Sequence, residues 1–410
     1  MTRRRVALTG IGLLTAYGVG EEPFWNGLIE GRTAVREVEA FREHGFPTTH
    51  YGLLPEVDYD AYLDPQKSAF WSVASKAAVT AGELAARSAG LEASALAGPR
   101  TGVLLGTGYG CLYEMEDLYR TWLNKGWKRI KPVTVPKLMP NAPASHLAIH
   151  YGARGINATI STACSSGAIA LGLAAERIRS GDLDACVTGG VDVIGNDAIV
   201  AAWNALRVLS RNNTPEASRP FDGQRDGLVF GEGGAIFLLE DWDTAVARGA
   251  PIRAEIAGVA ATNDAVNIVG PDVTGETEAI EHALADAGIE PGQLDYVCAH
   301  GTSTEANDLN ETEVLKQMLG DRARAIPVSS IKGHIGHSMG AAGAIEIAAT
   351  TLILENQRVP ATLHLENPDP QCDLDYVTDG PRDVSMEYAM TNSFGFGGQN
   401  SVIVLRTAGG

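Results

Sequence analysis

The sequence predicts an α/β fold made of two similar halves. Apolar runs of strand length alternate with alanine-rich segments of helical period along the 410 residues. The second half repeats the order of the first, with strand-like segments at 252–259, 295–300, 326–330 and 402–405 that correspond to those at 6–9, 101–106, 156–160 and 236–239. This repetition predicts an internal duplication of a βα unit, with halves that pack through their sheets and share one buried helical layer.

The first half begins with a strand at 6–9 that is expected to run into a glycine turn. An alanine-rich helix at 76–91 and a buried strand at 101–105 follow. That strand ends in a second glycine turn, at 106–110, where the backbone can approach another group closely. The second turn lacks the spacing and the downstream acidic residue of a dinucleotide fingerprint, so it does not predict a nucleotide cofactor. Further core strands are predicted at 185–190 and 234–240.

The predicted boundary between the halves lies at Arg248-Gly249-Ala250-Pro251. It gives an N-terminal half of residues 1–250 and a C-terminal half of residues 251–410. No linker rich in proline and glycine is long enough to separate independent domains, so the halves are expected to pack together.

Charge and hydropathy exclude several classes of function. The chain carries 32 basic and 50 acidic residues, a net charge of −18, which disfavours general binding to nucleic acid or to an anionic membrane. No apolar run could span a bilayer, and Gly10 and Gly12 interrupt the start of the chain too early for a signal peptide. Five scattered cysteines indicate neither a disulfide framework nor a metal site, which favours a reducing cytoplasm.

One basic run stands out in this acidic chain. The segment 120–137 contains Lys125, Lys128, Arg129 and Lys131 and no acidic residue. Such a run is either a solvated face or a docking surface, and the sequence leaves both interpretations open.

Cys164 lies where a predicted strand is followed by a helix rich in small residues. Unpaired N–H groups and partial positive charge at a helix N-terminus favour a thiolate and offer donors to an oxyanion beside the sulfur. Cys164 is therefore a candidate nucleophile. A small buried apolar residue is the alternative interpretation, and this stretch alone does not decide between them.

Two histidines in the second half occupy repeat positions that face Cys164. His300 ends a predicted strand, and His337 is expected to begin an alanine-rich helix, each among glycines. Lys332 is expected to donate a charge-assisted hydrogen bond near His337. Glu346 falls inside the following helix, where a buried carboxylate needs a partner, and Lys332 is the candidate.

Four ordered motifs resemble the β-ketoacyl synthase family. They are TACSSG around Cys164, HGTST from His300, KGHIGHSMGAAG from Lys332, and NSFGFGG at 392–398. The resemblance extends along essentially the whole chain and is to discrete synthases of type II fatty-acid or polyketide systems. It implies a thiolase-like fold, with duplicated βαβαβ halves that form a layered αβαβα architecture. It also implies a separate acyl carrier protein as partner and no tightly bound cofactor, because the phosphopantetheine arm enters on the carrier.

The resemblance also implies catalytic roles. Cys164 would accept an acyl chain as a thioester, which is then attacked by the carbanion that forms when a malonyl-carrier loses carbon dioxide. His300 and His337 would donate two imidazole N–H groups to the malonyl thioester oxygen, with Lys332 maintaining the hydrogen-bond pattern. The backbone N–H of Cys164 and one from the Phe396 loop would stabilise a second oxyanion.

Substrate-binding residues follow from the same resemblance. Thr302 and Thr304 would bind the phosphopantetheine arm, and Phe394 and Phe396 would form a gate beside the cysteine. Met115 would be the pocket wall that sets acyl-chain length, contributed across a dimer interface, whereas a methionine that fills a gap in the core is the alternative.

Partner surfaces are implied as well. Arg207 and Arg211, together with Lys67, would form a basic patch for an acidic carrier protein. The family is dimeric, and the partner subunit would be either a second copy or a chain-length-factor-like ketosynthase subunit.

Related classes fit the sequence less well. Thiolases use a second cysteine near the C-terminus, where this chain has Phe-Gly-Phe-Gly-Gly, and initiating synthases use asparagine where this chain has a second histidine. A papain-like hydrolase is disfavoured because the residues around Cys164 lack that family's local signature. A scaffold or chain-length partner without condensing activity stays as the alternative function, although such partners typically lack the cysteine.

Overall fold

The computed structural model describes residues 3–409. Its strands are β1 (Val6–Thr15), β2 (Gly18–Val19), β3 (Arg36–Glu37), β4 (His50–Tyr51), β5 (Thr101–Gly106), β6 (Asn157–Ile160), β7 (Ala185–Asp192), β8 (Gly233–Asp241), β9 (Ala254–Asn263), β10 (Tyr296–Cys298), β11 (Val328–Ser329), β12 (Arg358–Val359), β13 (Arg382–Asp383), β14 (Tyr388–Gly395) and β15 (Gln399–Thr407). Its α-helices are α1 (Glu21–Ile29), α2 (Glu39–Glu43), α3 (Pro65–Ser68), α4 (Val73–Ser88), α5 (Leu112–Lys125), α6 (Thr134–Leu138), α7 (Ala142–Tyr151), α8 (Ser166–Arg179), α9 (Asp197–Leu206), α10 (Trp242–Ala247), α11 (Val273–Ala287), α12 (Glu305–Leu319), α13 (Lys332–Ile335) and α14 (Ala342–Asn356).

The main sheet contains the predicted duplication. Its strand order is β11, β10, β14, β15, β9, β1, β8, β7, β5 and β6. From the centre of the sheet to its edge, the first half contributes β1, β8, β7, β5 and β6, and the second half contributes β9, β15, β14, β10 and β11. Corresponding strands therefore follow in the same order in both halves. In each half the three outer strands are parallel and the two inner pairings are antiparallel. A short antiparallel pairing of β1 with β9 joins the halves. The duplicated α/β fold predicted from the sequence is confirmed.

The first strand differs from the prediction. β1 continues through Gly10 and Gly12 instead of turning there. A Cβ atom at Gly10 would lie 2.1 Å from the carbonyl oxygen of Ala85, and one at Gly12 would lie 1.8 Å from that of Ala81. The expected turn is therefore wrong, because these glycines allow α4 to pack directly on a continuous strand.

Helices α8 and α14 form the buried layer that the halves share. A Cβ atom at Gly167 of α8 would lie 2.9 Å from Cβ of Ala344, and one at Gly343 would lie 2.9 Å from Cβ of Ala168. This reciprocal contact follows the internal repeat, since Gly167-Ala168 and Gly343-Ala344 occupy matching positions. Small side chains here let the two helix backbones approach each other closely.

The predicted division into residues 1–250 and 251–410 stays a prediction. The change from the first half to the second falls in the connection between α10 and β9. Among residues 3–409, no helix combines the length and apolar character needed to cross a membrane.

We expect Gly167→Ala to lower the free energy of unfolding by about 1–3 kcal/mol, because the added methyl group would overpack the contact with α14. Gly172→Ala on the same helix is the control, because a Cβ atom there meets nothing closer than 3.7 Å. Alanine at position 172 should be neutral or stabilise the protein by up to about 1 kcal/mol. Urea unfolding of both variants checks this, and equal stability would contradict the close-contact argument.

Candidate active site

Cys164 lies in a tight turn between β6 and α8. Ala163 has a left-handed backbone with a φ of 52°, a conformation that persists only where the surroundings enforce it. Ser166 stabilises the turn, since its Oγ accepts from the backbone N–H of Thr162 at 2.9 Å and donates to the carbonyl oxygen of Ala163 at 2.6 Å. The nucleophile candidate is thus held in a fixed position, buried, at the start of the helix.

The structure brings both predicted histidines to Cys164. Nε2 of His337 lies 3.1 Å from Cys164 Sγ, and the rings of His300 and His337 are 5.3 Å apart and nearly perpendicular. One heteroatom from each of the three side chains lies within 4.8 Å of the others. Such a set could also ligate a soft metal ion, but a metal on the sulfur would compete with any use of Cys164 as a nucleophile.

Burial determines the protonation of this cluster. It raises the pKa of the Cys164 thiol to about 12, although the charge of Lys332 and the backbone N–H of Phe396 oppose that shift. Loss of solvation therefore outweighs the helix N-terminus, which by itself favours a thiolate. Burial, with the Lys332 charge, also lowers the pKa of His300 and His337 well below the ordinary histidine value, so both imidazoles are neutral.

Lys332 contacts His300 rather than His337, which corrects the sequence expectation. Its Nζ lies 3.3 Å from Nδ1 of His300 and also donates to the His300 carbonyl oxygen. Because an ammonium only donates, Nδ1 accepts and the imidazole proton resides on Nε2. Lys332 forms the predicted buried ion pair with Glu346, whose pKa is raised by burial against the opposing effect of the lysine.

His337 is held by backbone contacts instead. It lies between α13 and α14, five residues before the helix it was expected to begin. Its N–H donates to the carbonyl oxygen of Val229 at 2.7 Å, and its carbonyl oxygen accepts from Gly231 at 2.8 Å. These bonds fix the backbone of His337 against the loop that precedes β8.

Two carboxylates that the sequence analysis did not single out as site residues hold the turn after His300. Glu311 accepts from the backbone N–H groups of His300 and Gly301, both at 2.8 Å. Asp308 accepts from the backbone N–H of Thr302 at 3.0 Å. Their spacing of three residues on α12 places them on one face of the helix, which is the signal that could have identified them.

Asp192 connects the glycine turn at 106–110 to the second half. It accepts from Thr107 Oγ1 at 2.6 Å, from the Gly108 N–H at 2.8 Å and from the Gly340 N–H at 2.7 Å. Burial raises the pKa of Asp192 to about 6, while these hydrogen bonds oppose the shift. The turn predicted to approach another group closely therefore approaches a carboxylate and the segment that follows His337.

A cavity of about 310 Å³ opens beside Cys164. Its lining includes four of the five predicted substrate-binding residues, Thr302, Thr304, Phe394 and Phe396. The ring of Phe396 stacks on Trp203 at 5.6 Å, a partner that the sequence analysis missed. A Cβ atom at Gly395 would lie 3.2 Å from the backbone nitrogen of Cys164, so glycine lets this loop reach the nucleophile.

The three predicted carrier-docking residues do not line this cavity. Arg207 is exposed between Leu206 and Val208, which line the cavity, and Arg211 is exposed nearby in sequence. Lys67 is exposed on α3. All three side chains are accessible to a partner, and carrier docking at these positions stays a prediction.

Met115 lies on α5 and does not line the cavity of this chain. With 38% of its surface exposed, it does not fill a gap in the core, so that alternative interpretation is wrong. A role as pocket wall would require a second chain against α5 and stays a prediction.

Family comparisons agree with this arrangement. The family description "Beta-ketoacyl synthase, N-terminal domain" matches residues 3–245, and "Beta-ketoacyl synthase, C-terminal domain" matches residues 253–366. The 3-oxoacyl-[acyl-carrier-protein] synthase 2 of Synechocystis sp. is 39% identical over 410 residues and covers 99% of both chains. The enzyme of the same name from Staphylococcus aureus is 36% identical over 406 residues and covers 98% of both.

Solved structures give the same result. A type II polyketide synthase acyl-carrier protein in complex with its ketosynthase, bound to the hexaketide, matches with a TM-score of 0.92 and 35% identity over 99% of this chain and 100% of that chain. The ishigamide ketosynthase/chain length factor matches with a TM-score of 0.92 and 32% identity over 99% of both chains. The chain therefore belongs to the β-ketoacyl synthase family.

Proposed function

We propose that this protein is a β-ketoacyl-[acyl-carrier-protein] synthase of type II polyketide or fatty-acid biosynthesis. It condenses malonyl-carrier protein, with loss of carbon dioxide, onto an acyl chain held as a thioester on Cys164. The observation that carries the proposal is the buried cluster in which His337 Nε2 lies 3.1 Å from Cys164 Sγ and a second neutral imidazole adjoins it. An inactive scaffold would have no use for this cluster.

The first half-reaction transfers the acyl chain to Cys164. Because the resting sulfur is a thiol, its proton passes to His337 as Sγ attacks the acyl-carrier thioester carbonyl. The backbone N–H groups of Cys164 and Phe396 are the proposed donors to the tetrahedral oxyanion. When this intermediate collapses, His337 gives the proton to the pantetheine sulfur of the carrier, which leaves as a thiol, and His337 is neutral again. The backbone N–H of Phe396 opposes the rise in the pKa of the Cys164 thiol, as expected of a donor close to the sulfur.

The second half-reaction forms the carbon–carbon bond. Neutral His300 and His337 donate N–H bonds to the malonyl thioester oxygen, where negative charge develops as carbon dioxide leaves. The resulting enolate carbon attacks the acyl-Cys164 carbonyl, and the C–S bond breaks so that the cysteine leaves as a thiolate. One proton from solvent then restores the thiol. Lys332 keeps the His300 proton on Nε2, which is the nitrogen free to donate.

The substrate arm enters on the carrier, and β-ketoacyl synthases use no tightly bound cofactor. Thr302 and Thr304 are the proposed contacts for the arm, since both line the cavity and their hydroxyl oxygens lie 2.8 Å apart. Phe394 and Phe396 are the proposed gate. Their rings pack on His300 and on Trp203, so movement of either ring would change access to Cys164.

The protein is proposed to act as a dimer in which a second subunit covers α5. α5 buries none of its residues in this chain and exposes Tyr119, Trp122 and Leu123 on its surface, which is typical of a surface that another subunit covers. The second subunit would be either a copy or a chain-length-factor-like ketosynthase. All five cysteines are free, which supports a cytoplasmic location.

We expect Cys164→Ala to abolish the covalent acyl adduct, because no other nucleophile lies in the cluster. His300→Ala should slow malonyl decarboxylation by roughly 10²–10³ through loss of one oxyanion donor, while Cys164 is still acylated. Intact-mass measurement of the acyl-enzyme and release of carbon dioxide check both variants. The exposed His282→Ala is the control, and unchanged carbon dioxide release by His300→Ala would overturn the assignment.

We expect Arg207→Glu to raise the KM for malonyl-carrier protein about fivefold at low salt, because it reverses one exposed charge in the proposed carrier patch. The effect should shrink as salt is added, and malonyl-pantetheine should be used normally. Arg36→Glu, an equal charge change at an exposed cation that does not line the cavity, should leave both substrates unaffected. Identical kinetics of Arg207→Glu and the parent with carrier substrate at low salt would rule the patch out.

We expect Met115→Ala to change the free energy of unfolding by no more than about 0.5 kcal/mol, because the side chain is exposed in this chain. If Met115 closes the acyl pocket from a neighbouring subunit, the variant should make longer products. Product lengths from the variant and the parent, with the same carrier and partner subunit, check this. An unshifted distribution would contradict the pocket hypothesis.

A further inference from the structure

Glu276 is a buried carboxyl that the mechanism above does not use. It lies in the first turn of α11 with 1% of its surface exposed. It nevertheless lines the active-site cavity together with Cys164, Thr302 and Thr304. A carboxyl at such a position either stabilises the protein locally or contacts what enters the cavity.

The hydrogen bonding of Glu276 leaves one oxygen free for a ligand. Asn310 on α12 donates from Nδ2 to Glu276 Oε2 at 2.8 Å. Within residues 3–409, this is the one side-chain hydrogen bond of the carboxyl, and no cationic side chain forms an ion pair with it. Oε1 is therefore available to the cavity.

The surroundings of this carboxyl favour its neutral form. Burial raises its pKa well above the ordinary glutamate value, and three further carboxylates reinforce the shift: Asp264 after β9, Asp272 at the start of α11 and Glu311 on α12. The bond from Asn310 opposes it. In the neutral acid, Oε2 is the carbonyl oxygen that accepts from Asn310, so Oε1 carries the proton and presents a donor to the cavity.

We infer that Glu276 donates this hydrogen bond to an amide carbonyl oxygen of the substrate's phosphopantetheine arm, an inference that rests on the proposed function. Asn310 belongs to α12, whose first residue follows Thr304 directly, so Glu276 is anchored to the helix that follows the two proposed arm-binding threonines. The arm has two amides that need partners when they leave water. A malonyl carboxylate fits less well, because the acidic neighbours of Glu276 would repel it.

Acylation of Cys164 by two small thioesters tests the inference. Hexanoyl-pantetheine carries both amides of the arm, whereas S-butyl hexanethioate carries neither. Glu276→Leu removes the donor at similar volume and should raise the half-saturating concentration of hexanoyl-pantetheine roughly five- to tenfold, with no change for the butyl thioester. Glu276→Gln keeps a donor and an acceptor, so it should behave like the parent. Glu278→Leu, at an exposed position on the same helix, is the control.

Each other result overturns the inference. Parent-like use of hexanoyl-pantetheine by Glu276→Leu would show that the arm does not need this donor. Equal losses with both thioesters would assign Glu276 a structural role, and a Glu276→Gln defect as large as that of Glu276→Leu would show that a neutral donor is not what matters. Glu276→Ala replaces the leucine variant should that fail to fold. A parent protein that neither thioester acylates would overturn the proposed function itself.

Discussion

The close contact between α8 and α14 is the constraint on which the rest of the site depends. Each helix presents glycine followed by alanine to the other, and a Cβ atom at either glycine would lie 2.9 Å from the facing alanine. α8 starts two residues after Cys164, and α14 starts five residues after His337. The separation of the two helices therefore sets the 3.1 Å distance between the sulfur from one half and the imidazole from the other.

Burial has opposite consequences for the two kinds of reactive group in this cluster. It keeps the histidines neutral, which suits N–H donors to a developing oxyanion, and it keeps the cysteine protonated, which makes acylation depend on proton transfer. Lys332 supports the first effect and opposes the second. Its charge disfavours protonated imidazoles and favours the thiolate, and its ion pair with Glu346 compensates for the removal of that charge from water.

Much of the fold and of the site could be predicted because the signals are local. The strand at β5 and the duplication follow from hydrophobic periodicity. The turn expected at the glycines of β1 is wrong, because the local sequence does not distinguish a glycine in a turn from a glycine in a strand that packs against a helix. The interpretation of Met115 as a core residue is wrong, because the tertiary packing of the elements beside α5 decides which side of this helix stays exposed.

The sequence by itself determined the order of the elements and the chemical groups of the site, Cys164, His300, His337 and Lys332, since these lie in short motifs at the ends of predicted elements. Only the tertiary structure decided that Lys332 bonds to His300, that the sulfur is a thiol, and that Asp192, Glu276 and Trp203 adjoin the site. The physical reason is that solvent exclusion and hydrogen-bond partners depend on the packing of elements far apart in the chain, and no local pattern encodes them.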